Sequence, residues 1–410
     1  MSDEALLKQA LTYGDGLLWL APTWVTRPAS IGEPGGRLKL DTRDLYPYGP
    51  NQGGVCERWL ASTVRADNPS GPEDEGLSYV LFRNSRKELV KVLLKDLINN
   101  YGEEILGKDV VHKYGGLKAF AKFFDYKGPL PLHLHQKDEQ VKKYGKEGKP
   151  EAYYFPPQLN FHEGRFPYTF FGLQPSATKN DIIGCLKKWN EGDNGILDLS
   201  IGYRIRISTS WLVQTGILHA PGSLLTYEPQ KTSDVFVIYQ SMVEGRFIPW
   251  ELAMKDIPAE HKHDLEYIVE LIDWDLNTDP EFRKHHFMTH IPVKEEDEMR
   301  EEGYYEKWII YGCEDFSAKE LVVYPKRTVT IRDAEAYGLI VVQGRGKVGR
   351  FEIESPTLVR FGEITYDEFF VSRGVARDGV EIINSGNENL VMLKHFGPGN
   401  SEAPSKIKDA

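Results

Sequence analysis

The run Pro-Leu-Pro-Leu-His-Leu-His at residues 129–135 sets two imidazoles two positions apart. Side chains on a β-strand alternate between faces, so His133 and His135 turn to one side and the leucines to the other. Imidazole is the commonest side-chain ligand for borderline divalent ions such as zinc, iron, nickel and copper, and two of them converging begin a metal site. With eleven histidines in the chain, one His-x-His carries little weight alone. The sequence supplies a control. His261 and His263 have the same spacing, but they open a helix predicted over 258–276, where residues two apart diverge, and they read as solvated. His286 and His290 are four apart and can share a helix face; no third ligand stands near them, so an exposed polar face is the plainer reading.

A converging pair needs a rigid frame, and the surrounding pattern provides one. Between 118 and 227, short β-like stretches at 119–124, 130–135, 153–155, 168–173, 209–212 and 223–227 are separated by turns, which suits a sandwich or barrel better than a parallel βαβ sheet. A helix at 179–190, with Thr178 as N-cap, interrupts them. Upstream, 37–81 reads as irregular loops and short strands such as 58–64. Residues 85–106 place Leu89, Val90, Val92, Leu93, Leu94, Leu97 and Ile98 at largely helical spacing. The helix at 258–276 has Pro258 near its start. The charge run 294–302 reads as a solvated face or linker. Beyond it the pattern is strongly β, at 308–310, 320–324, 329–331, 338–342, 351–353, 357–361 and 391–396, and builds a second all-β unit. Residues 397–410 suggest no structure.

Composition narrows the function classes. At 410 residues the chain is long enough for two or three cores, and a net charge of -11 without a basic stripe argues against a nucleic-acid partner. Apolar runs are too short for a membrane span. Residues 1–9 are acidic and do not read as a signal peptide. Three scattered cysteines, Cys56, Cys185 and Cys313, suit reduced thiols and a cytoplasmic setting.

Several motifs, in order, resemble the type I mannose-6-phosphate isomerase family of the cupin superfamily over most of the chain. Gly54-Val-Cys-Glu-Arg-Trp-Leu-Ala-Ser62 is similar to its early Glu-x-Trp element, and 94–107 to its helix ending in Leu-Gly. Phe120-Ala-Lys-Phe-Phe-Asp125, the His-Leu-His strand and Lys137-Asp-Glu139 resemble the approach to its metal strand. Gly148-Lys-Pro-Glu151 matches its Gly-Lys-Pro/Thr-Glu motif. His219, Glu228 and Ser233-Asp234 keep the order and spacing of its closing strand.

The resemblance implies a mainly β fold of two cupin (jelly-roll) barrels with an additional helical region. The corresponding divisions are 1–250 for the metal-binding barrel with N-terminal loops and helices, 251–303 for a helical segment and linker, 304–397 for a second barrel without metal, and 398–410 for a flexible tail. It implies one divalent ion, zinc first, with iron, manganese or nickel as alternatives, held by His133, His135, Glu151 and His219. Three imidazoles and a carboxylate are a coherent donor set for such an ion. Glu139 is a rival carboxylate, because His-x-His-x3-Glu also fits general cupin spacing. The implied reaction is aldose–ketose isomerisation of a sugar or sugar phosphate, with Glu228 as base and Lys149 and Asp234 orienting substrate or tuning that carboxylate. A monomer and a homodimer are both compatible.

Three positions depart from the family pattern. His133 replaces a glutamine ligand, which makes the donor set more basic and softer. Pro131 replaces a serine associated with the phosphate end of the substrate and offers neither hydroxyl nor N–H. Ile238 replaces a catalytic arginine, so a permanent charge and a planar donor fork are lost; Arg246, eight residues on, is a candidate to reach in from another direction. The segment 160–168, with His162, Glu163 and Arg165, is unusual for the family and reads either as a source of polar contacts or as a surface loop. His395, alone in the second β unit, reads as a packing residue. A different or unphosphorylated sugar, a non-isomerase metal cupin (oxygenase or lyase), and a sugar-binding protein that has lost catalysis are the competing readings.

Overall fold

Strand register decides where the polar side chains of this chain point. The computed structural model describes residues 3–68 and 71–408, and its fold is mainly β, with antiparallel sheets of nine, seven, five, four and two strands.

The seven-stranded sheet lies in the middle of the site's architecture. Its order is Phe287–Met288, Ser210–Val213, Glu151–Tyr154, Thr226–Lys231, Ala119–Phe124, Gly54–Leu60, Thr23–Arg27. Most of these strands are buried on both faces, so alternation sorts residues between two interiors rather than between interior and water. One face sends Arg58, Phe123, Tyr154 and Tyr227 toward C-terminal strands. There Arg58 donates to both oxygens of Asp367 at 2.8 Å and to Glu368 at 3.0 Å, Tyr154 donates to Glu320, and Tyr227 pairs with His395 Nδ1 at 3.1 Å. The other face carries Glu151, Glu228, Lys122 and Glu57, with Lys122 directly opposite Glu228 in register.

That second face looks onto the five-stranded sheet, in which His133–Leu134 runs between His219–Ala220 and Val237–Ile238. His133 is in register with His219 on one side and Ile238 on the other. The leucines of the His-Leu-His strand enter a separate apolar cluster with Ile182, Leu186, Trp189 and Ile268, as the alternation requires. The helix Lys179–Lys187 supplies part of that cluster. Thr178 caps it, its hydroxyl accepting from Asp181 N while Asp181 reaches back to Thr178 N. Thr178→Ala is expected to lower stability by about 1 kcal/mol in urea unfolding, the usual worth of such a cap; no shift in the midpoint would argue against it.

The nine-stranded sheet does not follow a boundary near residue 250. Leu17–Leu20 lies in it between Glu368–Val371 and Tyr79–Arg83, and Leu89–Leu93 forms its edge. The run Leu-Leu-Trp-Leu is buried at all four positions and therefore suits an internal strand rather than a surface one.

Local elements differ from the sequence reading in several places, and the stretch 357–361 forms no strand. Residues 89–93 are a strand, not the first turns of a helix: Leu-Val-Lys-Val-Leu alternates and is rich in valine, and a turn in which Lys87 takes φ 64° closes a hairpin with Tyr79–Arg83. The helix starts only at Leu94. The expected helix over 258–276 is broken into Ala259–His261, Leu265–Glu270 and Trp274–Asn277, because Asp264 and Asp273 each cap a new start by accepting a backbone N–H. The charge run is the helix Glu296–Glu302, which buries Met299. Beyond 397 the chain is anchored, with Gly312 donating to the Pro404 carbonyl at 2.9 Å and Ile407 packed against the core; residues 409 and 410 lie outside the described residues. No described helix is long and apolar enough to cross a membrane.

Candidate metal centre and its cavity

His133, His135 and His219 come together with ligand nitrogens within 4.8 Å of one another. In each, Nδ1 contacts a backbone carbonyl: His133 with Pro131 at 2.8 Å, His135 with Val235 at 2.7 Å, His219 with Ile217 at 2.9 Å. A carbonyl only accepts, so each Nδ1 carries the proton and each Nε2 presents its lone pair to the common centre. Burial and the neighbouring imidazoles hold His133 well below the usual histidine range. Burial and the Lys149 charge bring His135 down to about 4. Both rings are thus neutral at physiological pH, the form that binds metal. His219 Nε2 is buried and lacks a hydrogen-bond partner, although Glu151 Oε1 is 3.2 Å away.

Glu151 enters from the facing sheet. Its Oε2 is 2.9 Å from His135 Nε2, so it borders two of the three imidazoles. Tyr153 donates to Oε1 at 2.5 Å and Lys149 to Oε2 at 2.6 Å. Burial disfavours its charge, but the Lys149 ammonium outweighs that and holds the carboxyl well below the ordinary range. Three oriented imidazoles, an orphaned buried nitrogen and an ionised carboxylate fit a divalent cation. The rival carboxylate, Glu139, is exposed on the short helix Asp138–Val141, away from this cluster.

Lys149 Nζ stands at the edge of the centre, 3.1 Å from His135 Nε2 and 3.4 Å from Glu228 Oε1. Burial works against its charge, yet Glu151 and Glu228 raise its pKa. Glu228 also meets Lys122 at 3.1 Å. Burial, reinforced by the Glu151 charge, pushes the Glu228 carboxyl up to about 8. Lys149 and Lys122 line a cavity of about 500 Å³ that also exposes His133 and His135, whereas Glu228 sits behind the two ammonium groups, off the wall.

Asp234 lines the same cavity and accepts from the Arg27 guanidinium at 3.2 and 3.3 Å. Burial opposes its charge, but Arg27 and Lys255 hold it below the usual carboxylate range. Ile238 lines the wall beside His133, and Pro131 spends its carbonyl on that imidazole. Arg246 does not compensate for Ile238: it is not among the lining residues, and its guanidinium is occupied by the Pro129 carbonyl at 2.9 Å and Glu244 at 3.5 Å. The segment 160–168 is not on the wall either. Asn160 clamps Leu225, and His162 and Arg165 are exposed. His261 stacks on Tyr267 and His263 on Trp250. His286 donates to Leu212, while His290 lies past the end of its helix on Ser210.

The residue that sequence reasoning missed is Arg27. It ends the strand Thr23–Arg27, is buried, and grips Glu57 through Nε at 2.9 Å and Nη2 at 3.1 Å while reaching Asp234. Glu57 also accepts from Trp59 at 2.8 Å and Tyr126 at 2.7 Å. The available signal was a charge inside an otherwise apolar strand, as in Gly54–Leu60 and Ala119–Phe124, since such charges are buried only when paired.

No family model matches the sequence, and no curated protein does. Solved structures do. The mannose 6-phosphate isomerase from Bacillus subtilis superposes with a TM-score of 0.61 at 15% identity, over 93% of this chain and 100% of that one. A mutant of the phosphomannose isomerase from Salmonella typhimurium gives 0.58 at 13%, over 94% and 100%. A mannose 6-phosphate isomerase bound with zinc and yttrium gives 0.58 at 12%, with the same coverage. This chain therefore has the fold of the mannose 6-phosphate isomerases.

Proposed function

We propose that the chain is a metal-dependent aldose–ketose isomerase of sugars or sugar phosphates, working in the cavity beside the three histidines. The observation that carries this reading is the convergence of three Nδ1-anchored imidazoles on one point next to a lysine–glutamate pair. His133, His135, His219 and Glu151 would hold the ion. When bound, a divalent ion supplies Lewis-acid polarisation of the sugar's carbonyl and hydroxyl oxygens.

The chain's own groups handle the rest. Isomerisation removes a proton from the carbon beside the carbonyl and returns one to its neighbour. Glu228, which at about 8 is ionised in part near neutral pH, is the base: its carboxylate takes a proton from the Lys149 ammonium 3.4 Å away, the freed amine on the wall takes the proton from carbon, and the reverse transfers return one to the neighbouring carbon. Asp234, fixed by Arg27, accepts from sugar hydroxyls. Ile238, beside His133, together with Phe236 and Leu252 makes part of the wall apolar and limits water.

The purified protein is expected to carry about one divalent ion per chain by mass spectrometry and to interconvert an aldose and its ketose only when metal is present. Bound iron with oxygen consumption and no isomerisation would replace this reading by oxygen chemistry at the same donors.

A further inference from the structure

We infer that the cavity selects a neutral sugar over a sugar phosphate; this rests on the isomerase reading and names its substrate class. A phosphate monoester brings nearly two negative charges at neutral pH and binds where cations or N–H donors are free to meet it. Among the described residues, every cation on this wall already has a carboxylate partner. Arg27 is held by Glu57 and Asp234. Lys122 lies between Glu57 at 3.7 Å and Glu228 at 3.1 Å, and Lys149 is held by Glu151 at 2.6 Å. Lys146 is bound to Asp256, and Lys255 to Asp67 at 2.6 Å.

To admit a phosphate, the site must break one of these pairs and strand its carboxylate, several of which are deeply buried. The neutral donors on the wall are spent as well, Asn68 on Glu75 at 2.9 Å and Tyr126 on Glu57 at 2.7 Å. Pro131 has no N–H and its carbonyl is taken, Ile238 and Leu252 are alkyl, and Phe236 has the Lys255 ammonium 4.4 Å from its ring centre. A neutral sugar makes the opposite demands. Its hydroxyls donate to carboxylates that already have cation partners, and its C–H faces rest on the apolar wall, so no charge is left uncompensated.

The test uses the full-length, metal-loaded protein with mannose, mannose 6-phosphate and inorganic phosphate as probes. Calorimetry gives affinity, and interconversion with the matching ketose gives kcat/KM. The neutral sugar is expected to be preferred by at least about 10-fold in kcat/KM, with inorganic phosphate failing to compete. Preference for the 6-phosphate, or competition by phosphate, overturns the proposal and leaves the isomerase reading standing. If neither sugar is turned over, the isomerase reading falls; tighter binding of the neutral sugar would still support the selectivity, and tighter binding of the phosphate, or no binding of either, would overturn it. Asp67→Asn removes the closer of the two carboxylates on Lys255, the other being Asp256 at 3.5 Å, and is expected to shift relative affinity toward the 6-phosphate by about 10-fold. An unchanged ratio overturns the pairing argument.

Discussion

Replacing His219 with alanine is expected to leave a folded protein that no longer retains metal. His219 is fully buried, stands directly opposite His133 in the sheet, and its ligand nitrogen is buried without a hydrogen-bond partner. Loss of an outer hydrogen bond to a metal ligand costs roughly 10- to 100-fold in affinity, so loss of the ligand itself should exceed about 100-fold. Activity should fall by about 1,000-fold, the worth of several kcal/mol of electrophilic stabilisation. Metal content after dialysis and kcat/KM for sugar isomerisation read both effects, and circular dichroism checks the fold. Glu228→Gln should separate the two functions by keeping the metal while losing about 100- to 10,000-fold in turnover. A His219→Ala protein with its full complement of metal would show that the ion sits elsewhere.

Arg58→Met should be the most damaging substitution away from the cavity. Arg58 reaches across from the seven-stranded sheet to Asp367 and Glu368, and all three groups are buried. Methionine fills similar space but leaves two interior carboxylates without their cation, which costs about 3–5 kcal/mol. The loss should depend on pH. Burial already raises Glu368 to about 7 even with Arg58 opposing it, and removing the guanidinium raises it further. A carboxyl whose folded pKa lies above its unfolded value binds more protons in the native state, so stability falls as pH rises from the unfolded pKa through the folded one. The variant should therefore lose more relative to the wild type at pH 8 than at pH 5. Urea midpoints at the two values measure it, and equal losses would contradict the assignment.

The parts of this molecule legible in its sequence are those set by local alternation. His133 and His135 share a face because a strand has period two, and Thr178 caps a helix because its hydroxyl and Asp181 close the first turn reciprocally. His219, Glu151 and Lys149 were reached only through the resemblance of ordered motifs, since nothing local brings residues 133 and 219 into register. Leu89–Leu93 was misread because five residues with two valines fit either period until the hairpin turn at Lys87 is seen. Arg27 carried only the signal of a charge in a buried strand, because its partners Glu57 and Asp234 are 30 and 207 residues away. The compensation for Ile238 was sought nearby at Arg246, whereas the guanidinium on the cavity wall belongs to the first sheet strand of the site.

The placement of Leu17–Leu20 between Glu368–Val371 and Tyr79–Arg83 bears on how the chain is made. This strand leaves the ribosome long before its partner on one side is synthesised. Until then this greasy four-residue ribbon has one edge without its neighbour, and the largest sheet cannot close during translation. Pairings so remote in sequence are slow to form and leave sticky intermediates exposed meanwhile. The polypeptide should accordingly depend on helper proteins during its birth more than its native composition suggests.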